Sequence, residues 1–419
     1  MKYNKAVLSG HIIISFDNVI NGFLAVVMAP LFFGSSTDPI VQLLSSYAAF
    51  AAMFITAPLG AVVFGSMGDR LGRKKSLLVS ILGIGFPVFL IGILPTYKTI
   101  GIVAPISLII LRMIQGFFRG SEYSGVLIHN HEIGNKMTSS SANIISFGCL
   151  GGCFAAIICW LVTQKGTPDW FWRLPYLIGG ISAFAIFFKR KKISETDDFI
   201  EILNKNSLSK SPYRDILRGH KFEVLVGVAI SATYISAAYS SMMFGNRLFQ
   251  QAGYPISQSM LFSMFDLLWI SISISICGKI ADKVGMKNQI KYGLIVLAIA
   301  ALPVCFLISG ELTLTKIYLY MIIVTFLSAS IASCSAAYIL NLFPASCRYS
   351  GFTICDSIGA IMGGITPFMM LLFSNIFKSN LGCSIWIYIL TIPTLILIVI
   401  MNRILWGNIV KSTKKIKSV

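Results

Sequence analysis

Five side chains crowded into one apolar run set the chemistry open to this chain: Arg112, Gln115, Arg119, Glu122 and Tyr123, with Gly116, Gly120 and Gly125 among them. With side chains advancing about 100° per residue along a helix, Arg112, Gln115, Arg119 and Glu122 fall within an arc of about 80°, and the opposite face stays apolar. Ionisable groups at bilayer depth are costly unless they face one another or a cavity, so this face is expected to line a central passage. Arg119 and Glu122, three residues apart, are placed to neutralise each other. Nothing in the chain makes or breaks bonds: it has no P-loop, dinucleotide fingerprint, nucleophile elbow or paired histidine ligands. His129 and His131 beside Glu132 lack a fourth ligand, so no metal is expected. The reading is of a protein that is not an enzyme and carries no cofactor, driven by an ion gradient or by the solute's own.

The elements that must hold such a face are membrane helices. The chain has 419 residues, 56% of them apolar, with only 12% charged side chains and a mean hydropathy of +0.79, which excludes an ordinary soluble domain. A net charge of +18 suggests nucleic acid, but the cations sit in alternate loops and not on one soluble face. Apolar runs long enough to cross a bilayer lie near 8–33, 45–66, 76–95, 102–126, 141–163 and 174–189, then near 222–245, 256–278, 291–309, 316–342, 350–375 and 383–402. With twelve spans, about 26 Lys and Arg fall in inside segments against about 6 outside, which puts both termini in the cytoplasm. The first run continues past Ala29 with no small-residue cleavage site and is expected to stay in the mature protein. Nine cysteines are scattered through apolar runs without metal-type spacing and read as small embedded residues.

The chain repeats itself. Gly65, Asp69, Arg70, Gly72 and Lys74 recur as Gly278, Asp282, Lys283, Gly285 and Lys287, each shifted by 213 positions, in two short loops between apolar runs. Glycines let the helix ends approach and turn tightly, and Asp69 is placed to face the positive end of a neighbouring helix. Arg70, Arg73, Lys74 and Lys75 hold the first loop on the cytoplasmic side. Internal repeats of this kind mark transporters whose site lies where the halves meet. The expected organisation is a bundle over residues 1–190, a cytoplasmic linker over 191–221, a second bundle over 222–403 and a basic tail over 404–419 placed for contact with anionic lipid. The linker reads as a tether, with Ser194 to Phe199 able to begin a short surface helix capped by Ser194 or Thr196.

The repeated loop resembles the signature loop of the major facilitator superfamily. The run Arg112-Met-Ile-Gln115-Gly116 followed by Gly120-Ser-Glu122-Tyr123-Ser-Gly125 is similar to the fourth helix of its metabolite:proton symporter branch. Further likenesses are Gly10, Phe16-Asp17 and Gly22-Phe23, Pro58-Leu59-Gly60, Trp172 to Tyr176, Glu195-Thr196, Phe343-Pro344, Arg348 to Ser350 and Thr366-Pro367. The proline/betaine type looks nearest, on loop lengths and on the Tyr97 to Ile102 stretch. The resemblance implies an all-α membrane protein of twelve helices in two pseudo-symmetric six-helix bundles, with the repeated loops as a gate lock. It also implies Asp17 and Glu132 as candidates for a proton or cationic group, and Arg112 with Glu122 for coupling or solute contact. The branch usually has an acid and an aromatic residue where Ile14 and Ser15 stand, an Arg at Ala57 and a small residue at Arg119. Asp266 and Asp356 are acids untypical of it and are candidates for the second-half side of the site. Tyr234, Tyr239, Trp269, Tyr338 and Trp386 offer rings to a quaternary ammonium group.

The resulting expectation is a secondary transporter of the bacterial cytoplasmic membrane that imports a small zwitterionic osmolyte or amino acid with protons. The partners are the solute, protons and the lipid bilayer, without nucleic acid, and a monomer is expected. Alternatives are a proton-coupled carboxylate permease similar to those for α-ketoglutarate, citrate or shikimate, and a solute sensor that has lost transport.

Overall fold

The computed structural model describes residues 5–34, 39–132, 138–205 and 212–416. The expected cations Lys2, Lys136, Lys210 and Lys417 lie outside the described residues. The described residues form helices and turns only. We number the long helices as spans. Span 1 is Lys5–Phe23 continued by Ala25–Phe32 after a 59° bend. Spans 2 to 6 are Pro39–Leu71, Arg73–Ile93, Val103–Glu132, Thr138–Val162 and Arg173–Arg190. Span 7 (Lys221–Gln251) contains one π turn, Ser240–Phe244. Spans 8 to 10 are Ile256–Val284, Met286–Leu307 and Leu314–Leu340. Span 11 (Arg348–Ile376) breaks just before Pro367, whose missing N–H interrupts the helical ladder. Span 12 is Cys383–Ile416, so the expected tail over 404–419 continues as helix to Ile416.

Ten of these helices are long and apolar enough to cross a membrane, and the bent span 1 makes an eleventh. Span 6 is the twelfth; it is 18 residues long and carries Arg173 at one end and Lys189 and Arg190 at the other, which shortens its apolar stretch. The packing repeats with a six-span shift. Span 2 packs on span 4 as span 8 does on span 10, span 1 on span 5 as span 7 on span 11, and span 3 on span 6 as span 9 on span 12. Across the middle, span 5 lies on span 8 and span 2 on span 11.

Small residues allow the close crossings, because lipid is as apolar as leucine and helices in it associate by packing. A side chain at Gly60 would collide with the Phe117 carbonyl, one at Gly116 with that of Met53, and one at Gly120 with that of Ala57. Spans 2 and 4 therefore touch backbone to backbone, and the Thr56 hydroxyl donates to the Met113 carbonyl at 2.6 Å. Gly72 and Gly285, the repeated glycines, have φ of 102° and 89° and make the one-residue corners between spans 2 and 3 and between spans 8 and 9. An L side chain is strained there.

The linker is more than a tether. It contains helices Asp197–Asn204 and Pro212–Gly219, which lie against the bundle through Phe199 and Ile216, both buried. Thr196 does stand just before the first of them, but its hydroxyl donates to Glu132 at 2.8 Å and caps nothing.

Candidate functional site

Span 4 brings its polar face to the middle of the protein, where span 1 breaks into its bend. Gln115 joins two opposite charges there. Its Oε1 accepts from Arg112 Nη1 at 3.0 Å, and its Nε2 donates to Asp17 Oδ2. Asn21, one turn along span 1, donates to the same oxygen at 3.4 Å. Arg112 also donates to the Tyr176 hydroxyl at 3.2 Å and lies 5.4 Å from that ring's centre. Asp17 and Arg112 are buried, at 3% and 4% exposure, and Asp17 Oδ1 accepts no hydrogen bond. A carboxylate oxygen with free lone pairs, next to a guanidinium held by neutral partners, is an arrangement that a solute of mixed charge can complete.

The second half faces this group with an acid of its own. Asp356 on span 11 accepts from the Tyr234 hydroxyl at 3.1 Å, and Tyr234 is hydrogen-bonded to Tyr123 of span 4. Arg119 lies between the halves. Its guanidinium is 4.8 Å from the centre of the Phe54 ring, bonds Tyr239 of span 7, and acts electrostatically on both Asp17 and Asp356. Tyr239 in turn packs edge-on against Phe50 and Phe54 of span 2. Arg119, Tyr123 and Asp356 keep part of their surface although they pack between spans of the two halves. Cavities of about 610 Å³ open at either end of the protein, one lined by Glu223, Tyr338 and Asn341 and the other by Thr96, Trp172 and Arg173. Asp17, Arg112 and Asp356 line neither. Site and openings are separated.

The structure gives the other expected site residues different surroundings. Glu122 does not pair with Arg119. Its Oε1 meets Arg190 Nη2 at 2.5 Å, and its Oε2 accepts from Ser80 at 2.5 Å, inside the first half. Glu122 points past the central group because it follows Arg119 by most of a helical turn, on the side covered by spans 3 and 6. Glu132 joins the corner between spans 2 and 3. It takes a forked bond from Arg73, with Nε to Oε2 at 3.1 Å and Nη2 to Oε1 at 3.2 Å, plus the Thr196 hydroxyl. Asp266 is set among hydroxyls of Ser241 and Thr325 in the second half. Of the five aromatic candidates, Tyr234 and Tyr239 reach the central group. Trp386 bonds Ser236 and Thr366, Trp269 bonds the Ile322 carbonyl, and Tyr338 lines an end cavity.

Sequence reasoning missed Tyr176 and His11, while Asn21, a polar neighbour expected to be able to cap Asp17, does bond it. His11 is buried one and a half turns before Asp17, with its ring 5.5 Å from that of Tyr123 and no hydrogen bond at either nitrogen. The available signal was the spacing: His11, Asp17 and Asn21 are polar residues of one apolar run, and Tyr176 belongs to the Trp172 to Tyr176 motif.

The repeated loops form two latches on the linker side. Asp69 accepts from the backbone N–H of Tyr349 at 3.3 Å and of Ser350 at 2.9 Å, and from the Ser350 hydroxyl at 2.7 Å, at the start of span 11. Asp282 accepts from the N–H of Thr138 at 2.9 Å and of Ser139 at 3.4 Å, at the start of span 5. Each carboxylate meets the positive end of a helix in the opposite half. Gly65 and Gly278 let those helix ends approach, each lying 3.1 Å, measured from an ideal Cβ, from a backbone atom: Ser350 Cα and Ser139 Cα respectively. The two latches differ in burial. Asp69 is 3% exposed and backed by Arg73, Glu132 and Arg348, whereas Asp282 is solvent-exposed. Glu195 adds to the first latch by accepting from the N–H of Arg73 at 3.0 Å. Arg70 and Lys283 point outward.

Known transporters resemble this chain along most of its length. The chain is 27% identical over 368 residues to the glycine betaine/proline/ectoine/pipecolic acid transporter OusA of Dickeya dadantii, covering 84% of this chain and 73% of that protein. It is 26% identical to the citrate-proton symporter of Klebsiella pneumoniae, covering 86% and 82%. A putative metabolite transport protein of Haemophilus influenzae is 28% identical and covers 94% of each chain. Among solved structures, the proton:xylose symporter XylE superposes with a TM-score of 0.71 at 13% identity over 93% of each chain, a likeness of fold alone. The family profile described as Major Facilitator Superfamily matches residues 10–367, and this multi-pass membrane protein belongs to that family of transporters.

Proposed function

We propose that the protein imports a small zwitterionic osmolyte or amino acid of the proline/betaine kind together with protons, by alternating access. One observation carries the reading: Asp17, Arg112, Arg119 and Asp356 set both signs of charge in the space where the halves meet. A zwitterion matches it term by term, with its carboxylate toward Arg119 or Arg112. Its ammonium lies toward Asp17 or Asp356 and the rings of Phe54, Tyr234 and Tyr239. The two halves rock about this space, with the Asp69 and Asp282 latches closing the cytoplasmic side and releasing in turn. The membrane is the bacterial inner membrane, and both termini are cytoplasmic, on the loop-by-loop charge bias.

The presence of two guanidiniums supports a second reading, a carboxylate carrier, and so does the similarity to a citrate-proton symporter. Uptake of radiolabelled betaine, proline and α-ketoglutarate into proteoliposomes, with and without an inward proton gradient, separates them. Gradient-driven accumulation of betaine or proline is expected. Uptake of α-ketoglutarate alone would favour the carboxylate carrier, and binding without flux would favour a sensor.

A further inference from the structure

Asp266 does not contact the central group, and its surroundings differ from those of every other buried acid among the described residues. It is 6% exposed on span 8, and no Arg, Lys or His pairs with it among the described residues. Its neighbours are hydroxyls. Thr325 of span 10 lies 2.5 Å from Oδ1, Ser241 of span 7 lies 2.8 Å from Oδ2, and the two hydroxyl oxygens are 2.6 Å from each other. Three oxygen groups form a closed triangle, and each side has the length of an O–H···O hydrogen bond.

Counting protons decides the state of the triangle. Ser241 and Thr325 supply one hydroxyl proton each, so an ionised Asp266 leaves three sides with two protons, and on one side lone pairs face lone pairs. A metal ion does not fill the gap. Even Mg²⁺, at 2.0–2.1 Å from each oxygen, holds neighbouring ligands about 2.9 Å apart, wider than any side here. One more proton closes the ring: Asp266 Oδ2 donates to Ser241, Ser241 to Thr325, and Thr325 to Asp266 Oδ1. Each group then donates once and accepts once.

We infer that Asp266 is a protonated carboxylic acid in this state and that it holds the proton cotransported with the solute. The coupling role rests on the symport reading above. The ring lies on the π turn of span 7, and Tyr239, immediately before that turn, bonds Arg119 in the central site. Loss of the proton leaves both hydroxyls donating to the carboxylate, with the lone pairs of Ser241 and Thr325 facing each other, so the turn reseats and Tyr239 moves with it. The titratable groups facing Asp266 are Cys149 of span 5 and Tyr320 of span 10, while the π turn itself contributes none.

The test uses the full chain in liposomes and the variant Asp266→Asn, whose amide donates to Ser241 and accepts from Thr325 as the acid does. Expected are loss of proton-driven solute accumulation with solute exchange retained, and loss of one carboxylic-acid carbonyl band from the infrared spectrum. An unchanged band, or accumulation at the wild-type level, overturns the inference. If the wild type itself shows no proton-driven accumulation, the symport reading and the coupling role fall together, and the infrared band alone decides protonation. Should Asp266→Asn not reach the membrane, Thr325→Val opens the ring and keeps the carboxyl. It is expected to move the pH at which the band disappears, and an unmoved pH overturns the assignment.

Discussion

Arg119 replaces the small residue usual at its position in the branch that the chain resembles, and its contacts say what it does there. A guanidinium stacked on Phe54 and bonded to Tyr239 bridges the halves, while Gln115 keeps Arg112 and Asp17 one amide apart. Asp17→Asn removes the only formal negative charge of the first-half group. It is expected to weaken proline binding by about tenfold to a hundredfold, the ~1.5–3 kcal/mol of a hydrogen bond from the solute's ammonium to a charged partner, measured by calorimetry on purified protein. Glu122 calls for a different outcome, because it pairs with Arg190 inside one half. Glu122→Gln or Arg190→Met alone leaves an uncompensated buried charge and is expected to cost about 3–5 kcal/mol of stability, while the double variant costs much less. Thermal unfolding in detergent checks this. The polar face of span 4 was legible from spacing alone. Glu122's partner was not, since the ion pair is closed by a residue from the far end of span 6 that no local periodicity links to it.

At the level of elements, the two loops share a sequence skeleton and differ in setting. Asp69 is buried behind Arg73 and Glu132, and Asp282 stands in the open. Exposed charge interactions are typically worth about 0–1 kcal/mol, and buried ones with a partner removed several times that. Asp69→Asn is therefore expected to open the linker side markedly, and Asp282→Asn slightly, read as labelling of a single cysteine introduced near the start of span 11. Equal labelling in the two variants would remove the distinction. Gly72 and Gly285 were legible because a one-residue corner between helices demands a backbone that other residues resist. The π turn in span 7 was not. Its residues Ser240 to Phe244 have no special helical preference, and the turn depends on hydroxyls from other spans. The linker misled for a related reason: its helices are short, and their packing rests on single residues such as Phe199 under Arg73.

Across the whole molecule, every major packing pair of the first half has a counterpart six spans on, and the two cross-half contacts exchange under the same shift. Greasy runs and loop charges made the span count readable, but the pairing of spans is a property of small-residue crossings such as Gly60 on Phe117, whose partners lie far apart in sequence. Both latch carboxylates bind peptide N–H groups, at residues 138, 139, 349 and 350. Every amino acid except proline owns that donor. Thr138→Pro tests the point: proline is tolerated at the first position of a helix, so span 5 should still form while Asp282 loses its 2.9 Å partner. The lock should then loosen as in Asp282→Asn, again by cysteine labelling, and Thr138→Ala should leave it intact. Apart from the Ser350 hydroxyl, the keyhole is thus written in the main chain while the key is written in side chains. Drift at residues 138 and 349 among relatives would leave the bolt working, and a search for residues that change in concert would pass over it.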